Sequence, residues 1–407
     1  MTVYIGIDWS RKKHDIVITD ERGKRISSGV LEQSQAGYAK LEQMCEQLQV
    51  SRTECRVGLE TAHTLLIDYL WQQGYEQVFV IHPNIVNRSR ERYRQSGAYN
   101  DQSDAYVISD LLRTDGHRFT AWQPGSELLQ TLRRETSLAH FLTRQSTRQA
   151  NRLEAILLRY YPVARQLFSW PSPIVCHFVM TYPTPQASQA LSYDEFCQFL
   201  KSHRHTQSRT WVTLYDRLHA SQPKASAAVV AACQEEAKAL AQMLLMTLRT
   251  QKAILAQLSE HFQAHEDAPI FASLPGAGAL LAPALLVKFG EDRKRFPSPA
   301  SVQMLAGTAP VTRSSGNRKQ ITFRRACDKS FRYFIQQFAR TSLSQSAWAT
   351  AYFKDASGRK LAHNHALRCL ANRWLSVIWK LWSDHKPYDE AYHLQQRMQR
   401  RQARQAR

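Results

Sequence analysis

The stretch Thr2–Ser10, TVYIGIDWS, decides the fold of the N-terminal part of the chain. Val3, Ile5 and Ile7 alternate with Tyr4 and Gly6, and this period of two predicts a β-strand. The strand ends on Asp8, whose carboxylate costs desolvation free energy in a buried position unless it is paired or binds a metal ion. A turn or capping aspartate is the alternative, and the acids further along the chain bear on that choice.

Strands and helices follow this stretch in a recognisable order. His14–Thr19 and Ile26–Leu31 read as further strands of an antiparallel meander. Apolar spacing then predicts a helix over 38–48, a strand over Cys55–Leu59, a helix over 62–73 and a strand over Gln77–Ile81. With one more helix from Asp101, the order is β-β-β-α-β-α-β-α. This is the order of the ribonuclease-H-like fold, in which the first strand is central, and we expect such an α/β domain over residues 1–115.

Four carboxylates fall where that fold would place nuclease acids. Asp8 ends the first strand, Glu60 follows the fourth, and Asp101 and Asp104 open a helix that we expect to reach Leu112. The spacing of the last two puts them on one helix face. Converging carboxylates raise one another's pKa, and Mg²⁺ or Mn²⁺ would relieve the repulsion. Singly, each acid could be a cap or a surface residue; jointly, they predict metal-dependent phosphodiester chemistry, in which two ions stabilise the attacking and leaving oxygens.

The charge balance favours a polyanionic partner. The 407 residues include 54 Lys and Arg against 34 Asp and Glu, a net charge of +20, and 43% are hydrophobic, enough for packed cores. Nucleic acid is the default partner of such a chain.

There is no apolar run of about 18 residues and no recognisable signal peptide, so we expect a cytoplasmic protein without a membrane span. Seven scattered cysteines without a CxxC pair argue against a zinc site and a disulfide framework.

A basic stretch lies between Glu60 and Asp101. It contains Arg88, Arg90, Arg92 and Arg94. A solvated helix face would explain these residues, but their position beside the acids favours contact with backbone phosphates.

Residues 116–265 read as a helical middle region. Apolar residues three and four apart predict long helices over 126–160 and 225–262, the first with a partial coiled-coil seam that polar residues interrupt. Several prolines and shorter helices lie between them. We expect an arm that separates two domains and mediates self-association into a dimer or tetramer. One compact helical domain without an oligomer is the alternative.

The region 266–385 reads as a second functional domain, and 386–407 as a basic tail. LPGAGA at Leu274–Ala279 leads into an Ala/Leu-rich helix and resembles a helix-hairpin-helix. In such a motif the backbone N–H groups around Gly276 and Gly278 would bind a nucleic-acid phosphate.

A serine pair follows in a basic loop, where Ser314 and Ser315 precede Gly316. A serine hydroxyl is a weak nucleophile unless it is deprotonated or held against an electrophile. Nearby cations would hold a phosphate and stabilise the alkoxide; the candidates are Arg313, Lys319, Arg324 and Arg325. An ordinary turn is the alternative.

Together these motifs resemble the DEDD transposases of the IS110 insertion-sequence family, relatives of the Piv-type DNA invertases. The likeness covers both ends of the chain: YIGIDWS, VGLE and NDQSDA in front, LPGAGALLAPALL, AGTAPVTRSSG and the helix from Ser330 behind. It implies a RuvC-like N-terminal domain and a C-terminal transposase domain. The metal-binding acids would be Asp8, Glu60, Asp101 and Asp104, and the nucleophile Ser315, with Ser314 as second choice.

The resemblance also implies an activity. Members of this family cut and rejoin DNA through a covalent phosphoserine, at a composite site that brings the serine of one domain to the acids of another, often from a different subunit. A structured bridge RNA guides them to donor and target DNA, so double-stranded DNA and this RNA are the expected partners. Two alternatives are a RuvC-like junction-resolving or DNA-inverting nuclease that uses the acids alone, and a non-enzymatic nucleic-acid-binding scaffold.

Overall fold

The computed structural model describes residues 1–62, 64–92, 101–316, 318–359 and 361–405. The chain divides into two compact units, Met1–Pro124 and Gly125–Arg407. The finer division at 115, 265 and 385 stays a prediction. Over the described residues, no helix is both long enough and apolar enough to cross a lipid bilayer.

The first unit is a mixed α/β structure. Its elements are β1 (Val3–Trp9), β2 (Lys13–Thr19), β3 (Arg25–Glu32), α1 (Gln35–Gln47), β4 (Cys55–Leu59), α2 (Leu65–Gln72), β5 (Val78–Val80), α3 (Pro83–Arg90) and α4 (Asp101–Asp115). The predicted strands are all present, within two residues of their expected ends. Helix α3 was not predicted as a separate element, and it contains part of the basic stretch.

The sheet has the order β3-β2-β1-β4-β5, with β1 in the centre as predicted. Strand β1 pairs antiparallel with β2 and parallel with β4, and β4 pairs parallel with β5. Val3, Ile5 and Ile7 belong to the core formed with α1 and α2. Tyr4 belongs to the core on the other face, formed with α3 and α4. The strand is therefore covered on both faces, as the alternation of its residues requires.

Two glycines let α4 lie directly on the sheet. Gly6 and Gly58 are paired in register on β1 and β4. A Cβ on Gly6 would lie 1.9 Å from the carbonyl oxygen of Ala105, and one on Gly58 would lie 2.7 Å from the side chain of Ile108. No side chain fits between these strands and α4, so the glycines fix the depth at which the helix packs.

The second unit is mostly helical. Its elements are α5 (Glu127–Tyr160), α6 (Pro162–Gln166), α7 (Pro173–Thr181), α8 (Pro185–Gln189), α9 (Tyr193–Ser202), α10 (Trp211–His219), α11 (Ala227–Gln263), α12 (Ala268–Ala272), α13 (Gly278–Phe289), α14 (Pro299–Leu305), β6 (Val311–Ser315), β7 (Arg318–Thr322), α15 (Lys329–Thr341), α16 (Ala347–Gly358), α17 (His363–Ser383) and α18 (Glu390–Gln405). Single turns of 3-10 helix cover Arg52–Glu54 and Gly116–Arg118 in the first unit, and Ser208–Thr210, Arg293–Arg295 and Ser342–Ser344 here.

The two predicted long helices are present as α5 and α11, which pack against each other in opposite directions. Three side-chain hydrogen bonds show this direction, because the residue number falls along α11 as it rises along α5. They join Glu135 to His261 at 2.8 Å, Thr143 to Gln251 at 3.0 Å, and Arg152 to Glu236 at 2.7 Å. One end of this pair shares a core with α13, α15 and α17. The other end shares a separate core with α7 and α9.

The basic loop that we expected around Ser315 is a β-hairpin. Strands β6 and β7 pair antiparallel from Val311–Thr322 to Ser315–Arg318. The expectation of a loop was wrong because both strands are polar and exposed, so they lack the apolar alternation that marks a strand. Residues 390–405 of the basic tail form helix α18, and the side chains of residues 397 and 400–405 lie outside the described part.

Candidate functional site

Two of the predicted acids, Asp8 and Glu60, lie at the C-terminal ends of the paired strands β1 and β4, on the face that α4 covers. Asp8 follows Gly6 by two residues on β1, so both side chains face α4. Glu60 follows Gly58 by two residues and is next to Asp8 in the parallel register, which runs to Ile7 and Leu59. The C-terminal ends of β1 and β4 therefore present two carboxylates toward the same helix.

Helix α4 brings Asp104 to the same edge. Ala105 contacts Gly6, and the later residue Arg113 contacts Gly23 in the β2–β3 turn, which lies at the opposite end of β1. Helix α4 thus runs antiparallel to β1, and its first turn meets the strand's C-terminal end. The backbone of Asp101 begins this turn, but its side chain lies outside the described part.

A further carboxylate at this edge escaped the sequence analysis. Asp15 on β2 lies directly opposite Asp8 and is buried, with 7% of its surface exposed. Directly opposite residues of an antiparallel pair face the same side, so Asp15 also faces α4. We call Asp8, Asp15, Glu60 and Asp104 the acid edge. The tight β1–β2 turn at residues 10–12 is the signal from which this pairing could have been predicted.

Burial disfavours negative charge at the acid edge. Burial raises the pKa of Glu60 above its ordinary value; Asp104 raises it further, and Arg90 and His82 oppose this. Asp104 is 9% exposed, and its Oδ2 accepts a hydrogen bond from Arg90 at 2.5 Å. A raised carboxyl pKa means that the charged form is disfavoured, and an added cation would stabilise it.

The donor set fits a hard divalent cation. Asp104 Oδ1 is buried and has no hydrogen-bond partner among the described residues. A buried carboxylate oxygen in that state costs free energy that a ligand would offset. Mg²⁺ prefers carboxylate oxygens and keeps several waters, so it needs only a few protein ligands. Asp8, Glu60 and the free oxygen of Asp104 are of the right kind, with Arg90 left as a competitor for Asp104.

The basic stretch is divided between ion pairs and solvent. Arg90 binds Asp104, and Arg92 lies 3.6 Å from Asp115. Arg88 is exposed in the last turn of α3, which leaves it the best placed of the three for a phosphate. Arg94 lies outside the described residues.

Among the described side chains, the one set of three possible metal ligands whose atoms lie within 4.8 Å of one another is outside the acid edge. It consists of Glu266, Asp267 and His385. Both Asp267 oxygens, however, accept hydrogen bonds from Arg293, at 2.7 and 2.5 Å. A bidentate guanidinium already neutralises this buried carboxylate, so the cluster has a structural explanation, and it was not among the predicted acids.

The serine hairpin, β6 and β7, presents Ser315 at its tip. Successive strand residues face opposite sides, so Ser315 shares a face with Arg313 and with its cross-strand partner Arg318. Ser314 faces the other side. All four residues are exposed, and Gly316 follows in the turn with φ of +54°. The arrangement puts two guanidinium groups on the face of Ser315. Arg318 was not predicted, because its role depends on the strand pairing.

The remaining cations predicted near the serine have different surroundings. Arg324 donates to the carbonyl oxygen of Ala309 at 3.2 Å, so part of its guanidinium holds the base of the hairpin. Arg325 is exposed. The side chain of Lys319 lies outside the described part.

The predicted glycine turn joins α12 to α13. Gly276 and Gly278 both have positive φ, +80° and +58°, which favours glycine. A Cβ on Gly276 would lie 2.8 Å from the backbone of Thr341, whereas one on Gly278 would meet nothing within 4 Å. Gly276 thus serves packing inside the unit, and Gly278 at the start of α13 is the accessible member of the pair.

Comparison with known proteins bears on both ends of the chain. Residues 5–162 match a family model described as transposase, and residues 268–354 match one described as transposase of the IS116/IS110/IS902 family. The IS117 mini-circle protein of Streptomyces coelicolor, named for a proposed transposase activity, is 30% identical over 96% of both chains. Insertion-element proteins of IS116 from Streptomyces clavuligerus and IS900 from Mycobacterium paratuberculosis are 26% and 24% identical, over 96% of this chain.

Proposed function

Since the chain belongs to the IS110 family of insertion-sequence transposases, we propose that it cuts and rejoins DNA with a serine nucleophile and a divalent metal site. Ser315 is the proposed nucleophile. The proposed ligands for Mg²⁺ or Mn²⁺ are Asp8, Glu60, Asp101 and Asp104. The observation that supports the metal site is the placement of Asp8, Glu60 and Asp104 at one covered edge, with one buried oxygen of Asp104 unpartnered among the described residues.

The N-terminal unit is proposed to be a ribonuclease-H-like domain. The order β3-β2-β1-β4-β5, with an antiparallel β1–β2 pair and parallel β4 and β5, supports this assignment. The acids at the end of the central strand would hold the metal, which would supply positive charge to the phosphate and to the departing oxygen. Asp15 is a candidate to contribute negative charge beside Asp8.

The proposed reaction begins at the serine hairpin. The Oγ of Ser315 loses its proton and attacks the phosphorus, and a phosphoserine bond forms as the bond to one sugar oxygen breaks. That oxygen takes up a proton and leaves as a hydroxyl. A second sugar hydroxyl then displaces the serine and restores a phosphodiester. Arg313 and Arg318 would bind the phosphate and stabilise the developing negative charge. Ser315 is preferred to Ser314 because the two described guanidinium groups lie on its face.

Guidance by a structured bridge RNA and assembly into a dimer or tetramer complete the proposal. A net charge of +20 suits two polyanions on one protein. Base pairing by an RNA would supply sequence specificity, and the protein would then need to recognise only backbone and shape. A composite site with the serine and the acids from different subunits would require the oligomer.

Recombination of a donor and a target plasmid tests the proposed chemistry. Ser315→Ala and Asp104→Asn should each abolish recombination while DNA binding, measured by gel shift, stays within about twofold, since neither change removes a cation. Ser314→Ala is the matched control and should remain active. EDTA should abolish recombination by the wild type. Recombination by Ser315→Ala would overturn the serine assignment, and full activity in EDTA would overturn the metal site. Cutting without rejoining by Ser315→Ala would favour a nuclease that uses the acids alone.

Removal of RNA tests the guide. Protein depleted of nucleic acid should lose recombination and regain it when RNA transcribed from the element is added. Equal activity before and after depletion would contradict guidance by RNA without touching the serine or the acids.

A further inference from the structure

A cavity of about 650 Å³ lies beside the base of the serine hairpin. Residues of β7, α16 and α17 line it, together with the segment that precedes β6. Its volume is within the range of small-ligand sites, which is roughly 300–1,000 Å³. We propose that this cavity binds a single unpaired nucleotide of the nucleic acid, with the phosphate on arginines and the base against aromatic rings. The inference rests on the proposed function, because it assumes that nucleic acid binds at the hairpin.

The charge of the lining favours an anion. Arg324, Arg368 and Arg373 line the cavity with His365, and none of the lining residues is an aspartate or glutamate. Among the described residues, neither Arg368 nor Arg373 forms an ion pair with a carboxylate, and Arg373 is exposed. Arginines without a carboxylate partner at a concave surface attract phosphate, which guanidinium binds through two parallel hydrogen bonds.

The aromatic residues of the lining favour a planar group. Phe323, directly after β7, is 44% exposed although its ring is large and apolar. The guanidinium groups of Arg332 and Arg368 lie over this ring, 4.4 and 4.8 Å from its centroid, so a base would stack on the Arg368 plane that the ring supports. Tyr352 on α16 lines the same cavity. Aromatic rings and arginine planes are the surfaces on which proteins stack unpaired bases.

Hydrogen bonds within the protein orient the polar side chains of the cavity wall. Thr308 donates its hydroxyl to Asn372 Oδ1 at 2.7 Å, so Asn372 keeps its Nδ2 amino group without a partner among the described residues. Gln303 donates from Nε2 to the backbone of Asn372 and to Ser376, at 2.9 and 2.8 Å, which leaves its Oε1 acceptor free of such a bond. One free donor and one free acceptor are what the edge of a base requires.

The position of the cavity relates it to Ser315. Thr322 lines the cavity and pairs with Val311, which lies four residues before Ser315 on the same face of the hairpin. Four residues of strand span about 13 Å, and successive base pairs of a duplex are about 3.4 Å apart. An unpaired nucleotide in the cavity would therefore lie about four base steps from the phosphate at Ser315. It would hold the strand in register with the nucleophile.

Binding by the full chain, carrying Ser315→Ala to prevent reaction, tests the proposal. The probes are a short DNA duplex, the same duplex with one unpaired thymidine, and the corresponding RNA duplexes with and without an unpaired uridine. We expect about tenfold tighter binding of the probe that contains the unpaired nucleotide. The DNA and RNA pairs show from which strand the nucleotide comes.

Two pairs of variants place that preference in the cavity. Phe323→Ala and Arg373→Ala should each reduce the tenfold preference to about twofold or less. Their matched controls are Phe141→Ala, where the ring is 55% exposed on α5, and Arg209→Ala, an exposed arginine between α9 and α10; both should keep the preference. All four residues are at least partly exposed, so the variants should melt with the parent protein.

The outcomes separate this site from the proposed function. Equal binding of paired and bulged probes in both the DNA and RNA sets would overturn the nucleotide site and leave the recombination chemistry standing. A preference that survives both cavity variants would overturn it as well, since the preference would then arise elsewhere. Failure to bind any probe would overturn both the site and the proposed function.

Discussion

The acid edge and the serine hairpin differ sharply in how the fold supports them. At the acid edge, the central strand β1 is covered on both faces, and glycines bring α4 to within contact of the strand backbone. At the hairpin, two exposed strands pair only with each other, and a Cβ at Gly316 would meet nothing within 4 Å. Carboxylates that repel one another need a rigid frame. A nucleophile on a two-stranded ribbon, which is marginal alone, can take its final position when the substrate binds.

The largest effect is expected at the acid edge. Gly6→Ala puts a Cβ 1.9 Å from the carbonyl oxygen of Ala105, so α4 must move away from β1. We expect a loss of more than about 3 kcal/mol in the stability of the first unit. Hydrogen exchange of β1 and β4 peptides measures it without interference from the second unit. Gly116→Ala is the matched control, because its Cβ would meet only the tip of Arg56, at 3.7 Å. Equal protection in both variants would contradict the tight packing.

An intermediate effect is expected at Asp328, which follows the hairpin and caps α15. Its Oδ1 accepts from the N–H of Phe331 at 2.9 Å, and its Oδ2 accepts from Lys288 at 2.7 Å. Burial would raise the pKa of Asp328, but the bonds from Lys288, Ser330 and Phe331 outweigh it and hold the pKa below its ordinary value of 3.8. Asp328→Ala should lower the free energy of unfolding of the second unit by about 2 kcal/mol, because both the cap and the ion pair are lost. Thermal melting measures this loss.

The dependence of the second unit's stability on pH tests the direction of the Asp328 pKa shift. Because the pKa in the folded state is depressed, the stabilisation is present above about pH 4 and is lost as the pH falls through the lowered pKa. Asp328→Asn keeps a capping oxygen and removes the charge, so it should cost less than the alanine variant, and its stability should vary less below pH 4. A steeper acid loss in the asparagine variant would refute the role of the pair.

The smallest effect is expected at the hairpin tip. Gly316→Ala introduces a side chain at φ of +54° into open space, so only local strain of about 1 kcal/mol is added. Hydrogen exchange of the hairpin peptides should become faster, while the melting of the second unit stays unchanged. Gly316→Asn should change it less, because asparagine tolerates this conformation. Global destabilisation by either variant would show that the hairpin is supported more firmly than its contacts indicate.

The acid edge was more predictable from sequence than the hairpin. Alternation in Val3–Ile7 predicted a strand, and the order of the elements predicted its central place; both are confirmed. The depth of α4 over Gly6 and the pairing of Asp104 with Arg90 were not predicted, because both depend on distances between elements far apart in sequence.

The hairpin was missed for a different reason. A two-residue Gly-Asn connection, Gly316 and Asn317, is a known hairpin signal, but the flanking residues are polar and carry no apolar alternation. Without the pairing, Arg318 could not be placed on the face of Ser315. The family resemblance, in contrast, depended on motifs at both ends of the chain, and the comparisons confirm the family.

Mass spectrometry of a covalent protein–DNA complex tests the central claim most directly. Wild-type protein should be incubated with donor DNA, target DNA, guide RNA and Mg²⁺, denatured, and digested with protease and nuclease. We predict a nucleotide linked through phosphate to Ser315 in the wild type and in Ser314→Ala, and no adduct in Ser315→Ala or in EDTA. Cleaved DNA with no adduct, or an adduct on any residue other than Ser315, would contradict the account.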